Sequence, residues 1–171
     1  YEQGRDASIS CACHWTVNMA ASNAHGRFWG EAYSVSPCGI FVAADSGMTK
    51  LGDLAGIEVD VGYQSGSHYA TIQALETALA PADIRLNFAG IPDQRLSRLI
   101  SGESKAATLF GMQLYIAEQL GFRKLADTTF MMIGMVPDGV DPEDVRRYYA
   151  ALRRAQREID LHHQDFTHFY L

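Results

Sequence analysis

An alternation of strand-like and helix-like segments runs through residues 57–136 of the sequence. In its first strand, Ile57, Val59 and Val61 alternate with charged residues, which is the period of two expected of a β-strand. Short loops then join segments in the order strand, helix, strand, helix, strand, helix, strand, the last over residues 128–136. This order predicts an α/β fold with a mostly parallel sheet and helices on both faces.

The segments outside this region are predicted from local signals. Residues 8–13 read as a strand and residues 15–23 as a helix, and residues 33–44 read as a buried strand interrupted by Pro37. A final helix begins at Asp141, where an acidic N-cap precedes a proline in the first turn.

Composition excludes several classes of protein. The 171 residues are 47% hydrophobic, which is enough to bury a core in one compact domain or two small lobes. A net charge of -6 argues against nucleic acid as a partner, because phosphate-backbone binding needs a concentrated basic face. The apolar runs are far shorter than the roughly 20 residues that cross a bilayer. Three cysteines, an odd number, do not settle the cellular compartment.

The sequence GIFVAADSGMTKLGDLAGIEVDVG, residues 39–62, resembles a recurrent passage of type II periplasmic binding proteins. In that fold a strand leaves the first lobe, an Asp-Ser-Gly crossover follows, and a Leu-x-Asp-Leu-x-Gly turn leads into the second lobe. Three further matches keep the same order, namely YQSGSHYA at residues 63–70, LISGESKAA at residues 99–107, and Phe110 with Gly111. Within the fold, the resemblance is to the group that contains importers of sulfonates, nitrate-like anions and thiamine pyrimidine precursors.

The resemblance implies a substrate-binding protein of an ABC transporter that binds a small molecule and delivers it to a permease, in the periplasm or another extracytoplasmic location. It implies one complete lobe at residues 46–136, part of a first lobe at residues 1–45, and a helical return over residues 137–171. Interlobe crossovers are expected near residues 44–47 and 134–138. No cofactor is expected. The resemblance does not include the opening strand and helix of the first lobe, so we expect the chain to be half of a longer one or to associate with itself.

Candidate ligand-binding residues lie at strand-to-helix turns, where open α/β sheets bind ligands. At residues 64–69 the amides at a helix start are unpaired, a glycine lets a ligand approach the backbone, and two serine hydroxyls can donate, so an anionic group is expected to bind there. The ligand is expected to be a small anionic or heteroaromatic molecule. The turn of the first lobe is expected to form the opposite wall. The candidates are His14, Trp15, Gln64, Ser65, Gly66, Ser67, His68, Tyr69, Phe110 and Gly111.

Two alternatives to a binding protein remain open. The first is an enzyme on the same fold, desulfinase-like or pyrimidine-synthase-like, that uses Cys13 or Cys11 as nucleophile with His14 as base. The second is the ligand-sensing module of a regulator. No metal site is expected, because Cys11, Cys13 and His14 supply only three local donors and form no Cys-x-x-Cys pair.

Overall fold

A computed structural model of the protein describes residues 7–23, 26–29, 32 and 34–169. Its strands are β1 (Ser10–Cys13), β2 (Arg27–Phe28), β3 (Ser34–Ser36), β4 (Cys38–Val42), β5 (Glu58–Val61), β6 (Arg85–Phe88), β7 (Ala106–Phe110), β8 (Arg123–Asp127) and β9 (Phe130–Val136). Its helices are α1 (His14–Ser22), α2 (Gly66–Leu75), α3 (Pro92–Ile100), α4 (Met112–Gln119) and α5 (Pro142–Leu161). Short 3-10 turns occupy Leu51–Leu54, Pro81–Asp83 and His163–Phe169.

Helix starts follow the signals in the sequence. The Asp141 carboxylate accepts from the Glu143 amide at 2.9 Å, and Pro142 occupies the first turn of α5, as predicted. Proline also opens α3, at Pro92. None of the described helices is long and apolar enough to span a lipid bilayer.

The second sheet has five strands in the order β6-β5-β7-β4-β8. β5 pairs in parallel with β6 and β7, and β4 pairs antiparallel with β7 and β8, so four strands share one direction and β4 runs against them. One face packs Ile40 and Val59 against α2, and the other packs Phe41 and Leu109 against α3 and α4. The predicted α/β fold with helices on both faces of a mostly parallel sheet is therefore confirmed for this sheet.

The first sheet is built around β9. β1 pairs with one edge of β9, while β2 and β3 pair with successive parts of the other edge, all antiparallel. Val17 and Ala20 of α1 pack on Ile133 and Met135 of β9. The parallel arrangement among the described strands is thus confined to the second sheet.

The chain passes between the sheets at Pro37 and again at Thr128 and Thr129. The crossovers expected near residues 44–47 and 134–138 are therefore wrong. One apolar run at residues 33–44 supplies strands to two sheets, because proline has no amide hydrogen for the ladder and ends β3. Tyr33, the first residue of that predicted strand, lies outside the described residues. The short strand β8 was missed, because its sequence RKLAD is too polar to resemble a buried strand.

Candidate ligand site between the two sheets

The junctions β1–α1 and β5–α2 meet across the two sheets. The Thr16 hydroxyl, in the first turn of α1, donates to the Gln64 carbonyl oxygen at 3.2 Å. Beside this bond the ring centroids of Trp15 and Tyr69 lie 6.0 Å apart. The candidates from the two halves of the chain thus lie together, although their contact with a ligand stays a prediction.

The third junction, β7–α4, joins the same region through Phe110. Its ring lies edge-on to Phe130, with centroids 5.8 Å apart, and packs with buried Cys13 and Cys38 in one apolar cluster. Gly111 is exposed and has a φ of 63°, a conformation that glycine adopts without strain. Its backbone conformation alone therefore accounts for the glycine.

Six rings form a continuous surface across the junctions, which we call the aromatic belt: His14, Trp15, Tyr69, His68, Tyr63 and Phe88. Neighbouring centroids are 4.8 Å apart for His14 and Trp15, 4.8 Å for His68 and Tyr69, and 5.0 Å for His68 and Phe88. Tyr63 is 66% exposed and Phe88 50% exposed. Sequence reasoning did not select these two rings, although their places at the carboxyl ends of β5 and β6 are a usable signal. The belt offers flat apolar faces to a planar ligand.

Backbone contacts fix the tautomers of the two histidines when they are neutral. His14 Nδ1 lies 3.2 Å from the Met131 carbonyl oxygen, which can only accept, so Nδ1 carries the hydrogen and Nε2 is an acceptor. His68 Nδ1 accepts from the Gln64 amide at 3.3 Å, so its hydrogen is on Nε2. Partial burial lowers the pKa of His68, which favours this neutral form. The two ends of the site therefore present one acceptor and one donor.

The hydroxyls of Ser65 and Ser67 are engaged within the β5–α2 turn. Ser67 Oγ accepts from the Gly62 amide at 3.0 Å and from Arg95 Nη1 at 3.1 Å, which fills both of its lone pairs. Its hydrogen therefore points to Ser65 Oγ, 2.7 Å away, and the Ser65 hydroxyl donates to the Gly62 carbonyl oxygen at 2.7 Å. Neither hydroxyl has a hydrogen left for a ligand. The expectation that both serines donate to an anion does not hold in this arrangement.

Gly66 is buried beneath the Phe130 ring of β9. A Cβ atom added there would lie 2.6 Å from Phe130 Cζ, well inside van der Waals contact. The expected role of this glycine was to let a ligand approach the backbone. In the structure an aromatic ring of the first sheet takes that space.

Arg95 of α3 is a buried part of the site that sequence reasoning missed. Its side chain is 1% exposed and reaches the β5–α2 turn, where Nη1 donates to Ser67 Oγ. The same nitrogen donates to the Gly90 carbonyl oxygen at 3.2 Å, and the guanidinium carbon lies 5.5 Å from the Phe110 ring centroid. An arginine on an otherwise amphipathic helix resembles a surface residue in sequence, so no pattern indicated its burial.

A cavity of about 320 Å³ lies between α1, α2 and the connection from β8 to β9. His14 and Trp15 line it from the first sheet, and Gln73 and Asp127 line it from the second. Hydrogen bonds from Thr129 lower the pKa of Asp127, which keeps that carboxylate ionised. This cavity shows that His14 and Trp15 border open space between the two sheets.

The two candidate nucleophiles Cys11 and Cys13 and their candidate base His14 have other hydrogen-bond partners. Cys11 Sγ lies 3.7 Å from the Tyr148 hydroxyl, and Cys13 Sγ lies 3.0 Å from the Thr16 hydroxyl. Burial raises the pKa of Cys38 to about 11, which keeps this thiol protonated and unreactive. Among the residues that the structure describes, no thiol is hydrogen-bonded to His14, and no group of three or more His, Cys, Asp or Glu side chains could hold a metal ion.

Comparison with known proteins identifies the fold. No protein-family model and no curated protein sequence matches the chain. The alkanesulfonate-binding protein SsuA from Xanthomonas axonopodis pv. citri, solved with MOPS bound, has a TM-score of 0.71 at 15% identity, over 92% of this chain and 58% of that one. For the periplasmic aliphatic sulphonate binding protein SsuA from Escherichia coli, the TM-score is 0.66 at 19% identity, over 92% and 60%. The desulfurization enzyme DSZB has a TM-score of 0.59 at 15% identity, over 86% and 61%.

This chain thus spans 58% to 61% of the length of these three structures. The fold of these structures is the one that the resemblance at residues 39–62 implied, although the chain crosses between the sheets at Pro37 and not at the Asp-Ser-Gly segment. The chain has the fold of the type II periplasmic binding proteins.

Proposed function

We propose that the protein is the solute-binding component of an ABC importer and captures a small anionic or heteroaromatic molecule between two lobes. The observation that carries this proposal is the meeting of strand-to-helix junctions from both sheets, joined by the Thr16 to Gln64 hydrogen bond and the Trp15 and Tyr69 rings. Ligands of open α/β sheets bind at such carboxyl ends of strands. The two SsuA structures, an alkanesulfonate-binding protein and a periplasmic aliphatic sulphonate binding protein, support the same class of function.

The two lobes follow the two sheets. We propose that the second lobe comprises residues 38–127 and that the described residues outside it and outside the connections at 37 and 128–129 belong to the first, in place of the predicted limits of 1–45, 46–136 and 137–171. Pro37, Thr128 and Thr129 then form the hinge, and opening about it would separate the rings of Trp15 and Tyr69, whose centroids are 6.0 Å apart in this structure. A solute-binding component of this kind acts outside the cytoplasm and passes its ligand to the permease of the importer.

The first lobe exposes apolar side chains on its sheet. Phe28 is 51% exposed, Val35 60% and Met131 47%. Large exposed apolar areas on a soluble protein mark contacts with further chain or with a partner. This supports the expectation that the lobe is completed by additional residues or by self-association.

We further propose that the protein binds its ligand without chemical change. Among the described residues, Cys11 and Cys13 are hydrogen-bonded to hydroxyl groups, and His14 is hydrogen-bonded to the Met131 carbonyl oxygen. We therefore expect Cys11→Ser and Cys13→Ser to leave ligand affinity within roughly tenfold, about 1.4 kcal/mol. A turnover that either substitution abolishes would instead establish the enzyme.

A thermal-shift screen tests the proposed function. The library contains sulfonates, carboxylates, nitrate-like anions and pyrimidines, and the protein is first shown to be folded by circular dichroism. A ligand at 100 times its dissociation constant adds about 2.7 kcal/mol to the free energy of unfolding, which raises the melting temperature by several degrees. If no compound raises it, the protein is not a binding protein for these classes and the proposal fails.

A further inference from the structure

Arg95 lies where a ligand of this fold would bind. Its Nη1 atom donates to Ser67 and Gly90 and thereby reaches the carboxyl ends of β5 and β6, while Phe110, at the end of β7, lies over the guanidinium. β6, β5 and β7 are neighbours in the second sheet. One buried guanidinium therefore lies under three adjacent strand ends.

The charge of Arg95 is not compensated by any carboxylate bonded to it among the described residues. The Nε and Nη2 atoms of Arg95 are buried and have no hydrogen-bond partner among the described residues. Asp60, the acidic residue whose charge acts on Arg95, is itself bound by Arg98 at 2.8 Å and by Asn87 at 2.7 Å. Burial lowers the pKa of Arg95 to about 10, so the side chain is still positively charged at neutral pH.

A buried, uncompensated cation destabilises a fold, and unsatisfied buried donors require an explanation. An anion bound at the site would supply the missing charge. The amides that begin α2, at Gly66 and Ser67, have no acceptor within the helix. They lie at the positive end of the helix dipole, which also favours an anion. Arg95 and these amides are connected through the Ser67 side chain.

We propose that Arg95 determines the charge of the ligand, so that the site selects molecules with an oxyanion group such as a sulfonate, carboxylate or phosphate. This inference rests on the proposed function and deepens it. Arg95 acts as a positioning and electrostatic residue beneath the β5–α2 turn, because its side chain is buried and its bonded nitrogen holds Ser67. The aromatic belt would contact the planar part of the ligand.

Calorimetric titration of anionic and neutral probes tests the inference. The anions are sulfate, nitrate, acetate, methanesulfonate and benzenesulfonate, and the neutral probes are dimethyl sulfone, which has nearly the shape of methanesulfonate, and pyrimidine. We expect an anion to bind, and Arg95→Met to weaken it roughly tenfold or more while neutral probes change by less than about threefold. Arg95→Lys, which keeps the charge, should restore part of the affinity.

Arg85→Gln is the matched control, because it also removes one positive charge. Arg85 is exposed and begins β6, at the end of the sheet opposite the site. The Arg85→Gln variant should bind the anion with the same affinity as the parent protein. A general effect of net charge would instead weaken both variants equally and overturn the inference.

A stability measurement separates this role from a structural one. In buffer with the least possible anion, Arg95→Met should melt no lower than the parent, because it removes an uncompensated charge and the exposed Gly90 carbonyl can bond to water. Should Arg95→Met not fold, Arg95→Gln, which keeps a donor for Ser67, takes its place.

The outcomes distinguish the inference from the proposed function. Binding of neutral probes alone, or equal loss of anionic and neutral probes in the Arg95 variants, overturns the inference and leaves a binding protein. If the parent protein binds none of the probes, both the inference about Arg95 and the proposed function fail.

Discussion

Substitution of Gly66 by alanine should destabilise the protein through contact with Phe130. The new Cβ atom would lie 2.6 Å from Phe130 Cζ and 2.8 Å from Cε1 and Cε2, whereas carbon atoms pack at about 3.5 to 4.0 Å. Phe130 is 5% exposed and packs edge-on against Phe110, so the ring is confined on that side. Overpacking of this kind costs about 1 to 3 kcal/mol, and the better helix propensity of alanine offsets at most about 1 kcal/mol.

A double-mutant cycle measures this contact. Phe130→Leu removes the ring atoms that the alanine Cβ would overlap. Alone, it should lower the free energy of unfolding by less than a change of Phe130 to alanine, which costs about 3 to 5 kcal/mol. In the double variant the alanine should cost less than it does alone, with a coupling free energy of about 1 kcal/mol or more. Urea denaturation with a constant m-value gives the four stabilities.

Gly52→Ala is the control for the general effect of replacing glycine. Among the described residues, a Cβ at Gly52 would have only Lys50 Cε nearby, at 4.0 Å, so we expect a change of stability within about 0.5 kcal/mol. If Gly66→Ala is as stable as the parent, or if its effect adds to that of Phe130→Leu without coupling, the packing of β9 on α2 is not as described.

Three further results are expected. A thiol reagent at neutral pH should label exposed Cys11 quickly and leave buried Cys13 and Cys38 unlabelled until urea unfolds the chain; three fast thiols would contradict their burial. Burial raises the pKa of Cys38 from 9.0 to about 11, so between these values only the unfolded chain has lost the proton and stability falls as pH rises. Urea denaturation should show a smaller fall for Cys38→Ala, and an equal fall would refute the assignment. Thr71→Val should lower stability by about 1 to 3 kcal/mol, because it leaves buried Thr108 without its 2.6 Å hydrogen bond, whereas the double valine variant should recover part of the loss.

The sequence predicts the position of the β5–α2 turn well. Alternating apolar residues end at Val61, and a glycine flanked by serines begins the helix, so the position of this strand-to-helix turn follows from local pattern. The roles of these residues do not follow. Ser67 is held by Arg95 and Gly66 by Phe130, and both partners are distant in sequence.

Sheet membership shows the same limit. The apolar segments Cys38–Val42 and Phe130–Val136 could be recognised as strands from their composition, but nothing local says which sheet each joins. β4 enters the second sheet between β7 and β8, and β9 becomes the centre of the first. Pairing partners of this kind are fixed by the whole fold, whereas periodicity reports only burial and strand character.

Buried charge is the feature that sequence patterns predict least. Arg95 and Asp60 are each 1% exposed, although charged residues are almost always assigned to the surface. Hydrogen bonds from Arg98 and Asn87 account for the burial of Asp60, whereas Ser67 and Gly90 bond only one nitrogen of Arg95. The anion preference inferred from Arg95 could therefore not have been derived from spacing.

Tryptophan fluorescence tests the central claim, ligand capture between the two sheets, most directly. The protein has two tryptophans: Trp15 lies in the aromatic belt, and Trp29 stacks on Tyr149 with centroids 5.5 Å apart. Titration of Trp29→Phe with a ligand from the screen should change the Trp15 emission with the calorimetric dissociation constant, and Trp15→Phe should show no change. A signal that persists in Trp15→Phe, or an unchanged Trp15 emission at saturation, would place the ligand elsewhere and contradict the account.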